Sequence, residues 1–180
     1  QTVQNGGTDI AQEASPLQCP DTGVSLQADI VVYGGTAGGV LAAVSAARLA
    51  HNDTTFRIPS NDSTKFHRKL RNLTVLLLNP SGTHLGGMVS SGLGATDGKP
   101  SGGIAQEFFD RAGGFRFAPS TAEKVFNDMV GNATLGDTLK VISNCRISTA
   151  AVVVNQTTQS RRIVSVTTSD GGNVTISSRG

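Results

Sequence analysis

With 180 residues, 37% of them hydrophobic, the chain is long and apolar enough to bury a core, which excludes wholesale disorder. Fifteen basic and thirteen acidic residues leave a net charge of +2, too weak a field to recruit nucleic acid or an anionic membrane surface. Its 22 glycines exceed the usual share of about 7% and crowd between Gly34 and Gly114 without a collagen-like period, a pattern expected where backbone closes on a ligand.

Residues 1–27 mix Gln, Gly, Asp, Ser and Pro without apolar periodicity and read as an extended segment lying on the surface. They carry neither the basic stretch nor the apolar centre of a signal peptide, and no apolar run nears the roughly 20 residues that span a bilayer. The chain therefore reads as soluble and already processed. Order is expected from Ala28. Asp29-Ile-Val-Val-Tyr33 is a short β-branched run of the kind buried in a parallel sheet, and it ends abruptly at Gly34-Gly35. From Ala37 to Ala50 the composition turns to Ala, Leu and Val, which predicts a closely packed helix.

Residues 51–72 are polar, contain Pro59 and the basic run His67-Arg68-Lys69-Leu70-Arg71, and read as a surface insertion whose charges are solvated. Leu73–Leu78 is the next buried strand, ending at Asn79-Pro80 and completing a β-α-β unit. Glycine density from Gly82 to Gly103 predicts loop, because each glycine would cost a helix or strand interior about 1 kcal/mol. Helices are expected over Ile104–Ala112, with Phe108 and Phe109 in the core, and over Thr121–Val130. Beyond Thr138 the Val, Ile, Thr and Ser content predicts an antiparallel β-meander over 138–180, with strands near 145–154, 161–169 and 173–178 and a hairpin at Asp170-Gly171-Gly172.

Six sequons, at Asn52, Asn61, Asn72, Asn132, Asn155 and Asn173, point to a secreted glycoprotein carrying N-linked glycans, while Pro80 excludes Asn79. Cys19 and Cys145 are compatible with one disulfide in an oxidising compartment, or with pairing to a group outside this chain. Their spacing matches no metal site, and the scattered His51, His67 and His84 do not supply one, so no metal is expected.

The chemistry-bearing motif is Gly34-Gly35-Thr36-Ala37-Gly38-Gly39, set between a strand and a helix where a dinucleotide fingerprint stands. Gly34 allows the tight turn, Gly39 allows close helix-to-strand approach, and the helix start offers free N–H groups and a positive dipole end to a diphosphate. Thr36 occupies the usual second-glycine position, where its side chain either crowds the phosphates or donates to them. Asn79 ends the second strand, where an acid commonly meets the adenosine ribose; its amide oxygen can still accept, without the charge. Its distance from Gly39 is about twice the usual spacing of roughly 20, an excess that the 51–72 insertion supplies.

Further on stands His84-Leu-Gly86-Gly87-Met88-Val-Ser90-Ser91. Together with Ala28-Asp-Ile-Val-Val-Tyr-Gly-Gly-Thr-Ala-Gly-Gly and Leu-Leu-Leu-Asn-Pro, it resembles the FAD-dependent oxidoreductases of the glutathione-reductase-like superfamily, and especially the branch with a Gly-Gly-Thr turn and a His-Leu-Gly-Gly-Met loop. The resemblance runs over residues 28–180. It implies an α/β fold with a Rossmann-like FAD-binding β-α-β unit and a β-meander, the meander separating it from a plain NAD domain. It also implies that Gly86 and Gly87 let backbone approach FAD, with His84 and Met88 in the same loop. His84 could then be a flavin neighbour or a covalent flavin attachment point, while the plainer expectation is a loop histidine hydrogen-bonded to backbone.

Two departures from the pattern matter. Asn79 replaces the expected acid, and the further parallel strand and second glycine turn of the family do not appear by Gly180. The unit is therefore expected to be incomplete, with the remainder supplied by a C-terminal segment or a second chain that also carries the small-molecule substrate site. No catalytic residue is assigned, Asp97 and Arg111 included. The leading expectation is a secreted FAD-dependent oxidoreductase. The alternative is a secreted structural or adhesive glycoprotein that keeps the fold without the cofactor.

Overall fold

In the computed structural model, which describes residues 17–52, 73–98, 102–133 and 138–176, the chain order is β1 (Leu17–Gln18), β2 (Ser25–Ala28), β3 (Ile30–Tyr33), α1 (Ala37–Asn52), β4 (Val75–Asn79), α2 (Met88–Ser91), α3 (Gly103–Ala112), α4 (Pro119–Ala133), β5 (Leu139–Ser143), β6 (Ile147–Val154), β7 (Arg161–Thr168) and β8 (Asn173–Ile176). They form two four-stranded sheets, ordered β1-β5-β4-β3 and β2-β8-β7-β6. Every pairing in the first sheet is parallel. With β3, α1 and β4 as its β-α-β unit, the protein is a Rossmann-like α/β fold carrying a meander.

β4 explains the layering. All five of its residues are buried, and alternate side chains of a strand point to opposite faces. Val75 and Leu77 join Val40, Val44, Phe126 and Met129 in one core, while Leu76 and Leu78 join Ala28, Ile142, Val166 and Val174 in another. Helices thus cover one face of the parallel sheet and the second sheet covers the other, which is why the strand reads as an unbroken apolar run. Helix α1 supplies Val40, Ala43, Val44 and Ala47, fully buried at the i, i+3, i+4, i+7 spacing of one helical face. The expected core aromatics are in place: Phe108 stacks on Phe126 with ring centroids 4.3 Å apart and meets Phe109 edge-on at 5.4 Å. Between helices, the Arg48 guanidinium of α1 grips the Glu107 carboxylate of α3 through two hydrogen bonds, and Arg111 approaches the same carboxylate from one turn on.

Three expectations need correction. The surface segment expected to run to residue 27 is instead built into both sheets from Leu17: β1 lies parallel to β5, and β2 parallel to β8. Cys19 and Cys145 form a disulfide with Cα atoms 4.9 Å apart, and Thr168 Oγ1 donates to Pro20 O, so this strap is pinned just before its turn. The glycine-rich stretch is not all loop, because Met88–Ser91 closes one helical turn, α2. Finally, Leu139–Ser143 is not meander but a third long parallel strand, with Leu77 opposite Val141. The meander itself is β6, β7 and β8, antiparallel, with the hairpin at Asp170-Gly171-Gly172 where expected.

Asn61, Asn72 and the 67–71 basic run lie outside the described residues, and Asn52 is the last residue of α1. The other three sequon asparagines, Asn132, Asn155 and Asn173, are exposed. Among the described residues, no helix is long and apolar enough to cross a membrane.

Candidate functional site

Strand β3 ends at Tyr33 and α1 begins at Ala37, so the glycine motif stands in the predicted place. Gly34 has φ +114°, a conformation that excludes ordinary side chains, and its N–H donates to Leu78 O at 2.9 Å, tying the turn to β4. A β-carbon on Gly39 would collide with Gly34 O, so the helix start presses on the strand end. Thr36 is the N-cap: its Oγ1 accepts the Gly39 N–H at 3.2 Å, and its carbonyl accepts the Val40 N–H at 2.9 Å. Thr36 and Gly86 form a parallel bridge that turns the Ala37 amide toward the Gly86 carbonyl, so the helix-start donor left over is the Gly38 amide. Gly38 is exposed, and a β-carbon there would meet open space.

The Thr36 hydroxyl, expected either to crowd a phosphate or to donate to one, is thus employed as an acceptor inside the turn. Accepting from Gly39 leaves its O–H uncommitted, so it can still donate.

Asn79 departs from its expected role. Its side chain is not turned toward a ribose but is buried beneath the turn, 1% exposed. Nδ2 donates to Gly82 O at 2.7 Å and to His84 O at 2.9 Å, and Oδ1 accepts from the Ser81 N–H. The same amide fills the space over Gly35, where a β-carbon would strike it. The reason lies in the loop that follows β4: it doubles back over the strand end, and its partly buried carbonyls need donors.

Gly86 and Gly87 likewise turn inward. Gly86 N–H donates to Gly35 O at 2.7 Å, and a β-carbon at Gly86 would strike the Phe126 ring and Ser90 Oγ. One on Gly87 would lie 3.3 Å from Thr36 Cα. The close approach these glycines permit is therefore to the dinucleotide-type turn and to α4. Met88 is 75% exposed beside them.

His84 is not bonded through its ring to backbone, as the plainer expectation had it. Nδ1 lies 2.8 Å from Glu123 Oε1 on α4, and Nε2 lies 2.9 Å from both Ser90 Oγ and Ser91 Oγ. Sequence reading passed over Glu123, which is 39 residues away and marked by no local motif. Among the described residues, no group of three or more His, Cys, Asp or Glu side chains could hold a metal.

No protein-family model matches the chain, and no curated protein matches it. Among solved structures, the crystal structure of Thermovibrio ammonificans THI4 is similar at 12% identity with a TM-score of 0.49, over 79% of this chain and 47% of that one. This chain spans less than half the length of that structure.

Proposed function

We propose that the chain is the N-terminal FAD-binding portion of a secreted FAD-dependent oxidoreductase. One observation carries this reading: a parallel strand feeds a positive-φ glycine turn, and the helix leaving it presents the exposed Gly38 amide at a point where even a β-carbon would meet open space. That is a cradle for a diphosphate. Gly38 would hold it by its N–H group, the exposed Thr36 would add its hydroxyl hydrogen, and Gly34 and Gly39 set the shape. When bound, FAD supplies the acceptance and return of electrons; the chain's own part is to bind and orient it. The substrate and the groups acting on it belong, in this reading, to the remainder of the protein, a C-terminal segment or a second chain. Secretion rests on the Cys19–Cys145 disulfide and on the sequons, with N-linked glycans expected at Asn132, Asn155 and Asn173 and at the three sequons of the 51–72 region.

The test is release of flavin. The purified full-length protein should show the flavin absorption bands, and denaturation should free FAD or leave it covalently attached to a peptide. Absence of both would favour the second reading, a structural or adhesive glycoprotein that keeps the fold without the cofactor. That reading has its own support, because Asn79, Gly86 and Gly87 are all engaged with protein.

A further inference from the structure

We infer that Ser91, His84 and Glu123 form a nucleophile, base and orienting acid that give this protein an esterase-like acyl-transfer activity, independent of any bound cofactor. A serine hydroxyl at its ordinary pKa is a weak nucleophile, and it becomes a useful one when a neighbouring base takes its proton while a third group fixes that base. The required contacts are present: Ser91 Oγ to His84 Nε2 at 2.9 Å, and His84 Nδ1 to Glu123 Oε1 at 2.8 Å.

Exposure selects among the serines, since each hydroxyl also has a backbone carbonyl as an alternative acceptor. A carboxylate only accepts, so Glu123 places the hydrogen of a neutral His84 on Nδ1 and leaves the Nε2 lone pair to accept. Ser90 is also 2.9 Å from Nε2, but its hydroxyl is held 2.5 Å from Leu85 O and is buried at 4% exposure. Ser91 is exposed, and its alternative acceptor, Gly87 O, lies at 2.7 Å. Substrate can therefore reach Ser91 and not Ser90. One helical turn before Ser91 stands Met88, 75% exposed, and two residues after it Leu93, 39% exposed. These two exposed apolar side chains close to the nucleophile in sequence fit a short-chain carboxylic ester.

The step balances without an outside oxidant or reductant. Ser91 Oγ bonds to the ester carbonyl carbon as its proton passes to His84 Nε2; the C–O bond to the alcohol then breaks and the alcohol leaves with that proton. Water, deprotonated by His84, attacks the acyl-serine, releasing the carboxylic acid and restoring the hydroxyl. A purely structural role is the competing account, in which His84 ties the loop to α4 and Ser91 reacts like any surface serine.

Reaction of the purified protein with a fluorophosphonate probe, mapped by peptide mass spectrometry, separates the two, with p-nitrophenyl butyrate hydrolysis as the second readout. Modification should fall on Ser91, and both readouts should drop to background in Ser91→Ala. Glu123→Gln, which preserves shape, should slow labelling by about 100-fold, within the usual range for general-base assistance. Labelling of wild type no faster than of Ser91→Ala would overturn the proposal. So would labelling at another residue, or a Glu123→Gln variant with native thermal stability and an unchanged rate. If Glu123→Gln does not fold, the comparison of wild type with Ser91→Ala decides alone. None of these outcomes bears on flavin release.

Discussion

A β-carbon on Gly39 would run into the carbonyl oxygen of Gly34: the first and last glycines of the turn touch across it, and the start of α1 is held against the end of β3 by that contact. Gly39→Ala tests the relationship. Alanine raises helix propensity by about 1 kcal/mol, but the obstruction is backbone and cannot swing aside, so a net loss of about 1–3 kcal/mol is expected, read as a lower Tm. Gly38→Ala should do the reverse. Its methyl meets open space, so it should stabilise by up to about 1 kcal/mol while reducing flavin retention, because the methyl projects where the diphosphate is proposed to sit. Equal stability of the two variants would mean that the helix start does not press on the turn.

The disulfide joins a strap to a strand end. Cys19 and Cys145 are both buried and are 126 residues apart in sequence, so the bond closes a long loop and restricts the unfolded chain strongly. Replacing both cysteines by alanine should cost about 2–5 kcal/mol. Hydrogen exchange should show the loss first in β1 and β2, whose pairing depends on the strap, and last in β4, which is buried on both faces. A change below about 0.5 kcal/mol would mean that strand pairing alone holds the strap.

Glu107 gives the fold an acid-sensitive contact. Its hydrogen bond with Arg48 is the largest influence and holds its carboxyl below the ordinary value, with the charges of Arg48 and Arg111 adding to the effect against the opposing cost of burial. A carboxyl whose folded value is depressed contributes stability that is present above the ordinary glutamate value of about 4.3 and is lost as pH falls through the folded value. The pair is partly exposed, so Glu107→Gln should cost about 1 kcal/mol or less at neutral pH. Urea titrations from neutral pH down to about pH 3 should show wild type and variant converging in acid. Parallel curves would remove the Arg48 contact from the account.

What was legible in the sequence was what local composition determines. The apolar run of β4, the small-residue face of α1, the turn between β3 and α1, and the Gly171 hairpin each carry their signal within a few residues. β1 and β2 did not, since Leu17-Gln18 and Ser25–Ala28 are short, half-polar strands placed by partners more than 100 residues away. β5 carries no such signal, because Leu-Lys-Val-Ile-Ser suits either sheet, and parallel or antiparallel pairing is decided by neighbours. The candidate site divided the same way. Glycines that need a special backbone were found, but the partners of His84 and the inward turn of Asn79 depend on how the 80–87 loop folds back onto α4.

Asn79→Asp separates the two roles available to the end of β4. If the position served a ribose, the acid would restore the usual ligand, raising flavin retention at unchanged stability. The structure predicts otherwise. Nδ2 donates to Gly82 O and His84 O, and an aspartate would set a carboxylate, buried like the amide, against two carbonyl oxygens with no hydrogen to offer. A cost of about 3 kcal/mol at neutral pH is expected. The sign of its pH dependence is distinctive: burial and the facing carbonyls raise the folded value of the new carboxyl, so the folded state binds the extra proton, and stability of the variant falls as pH rises. Wild type, with an amide there, lacks this contribution. Thermal unfolding of both proteins from about pH 4 to 8 should therefore diverge as pH increases, and a constant difference across that range would show that the amide hydrogens are not what holds the loop over the strand end.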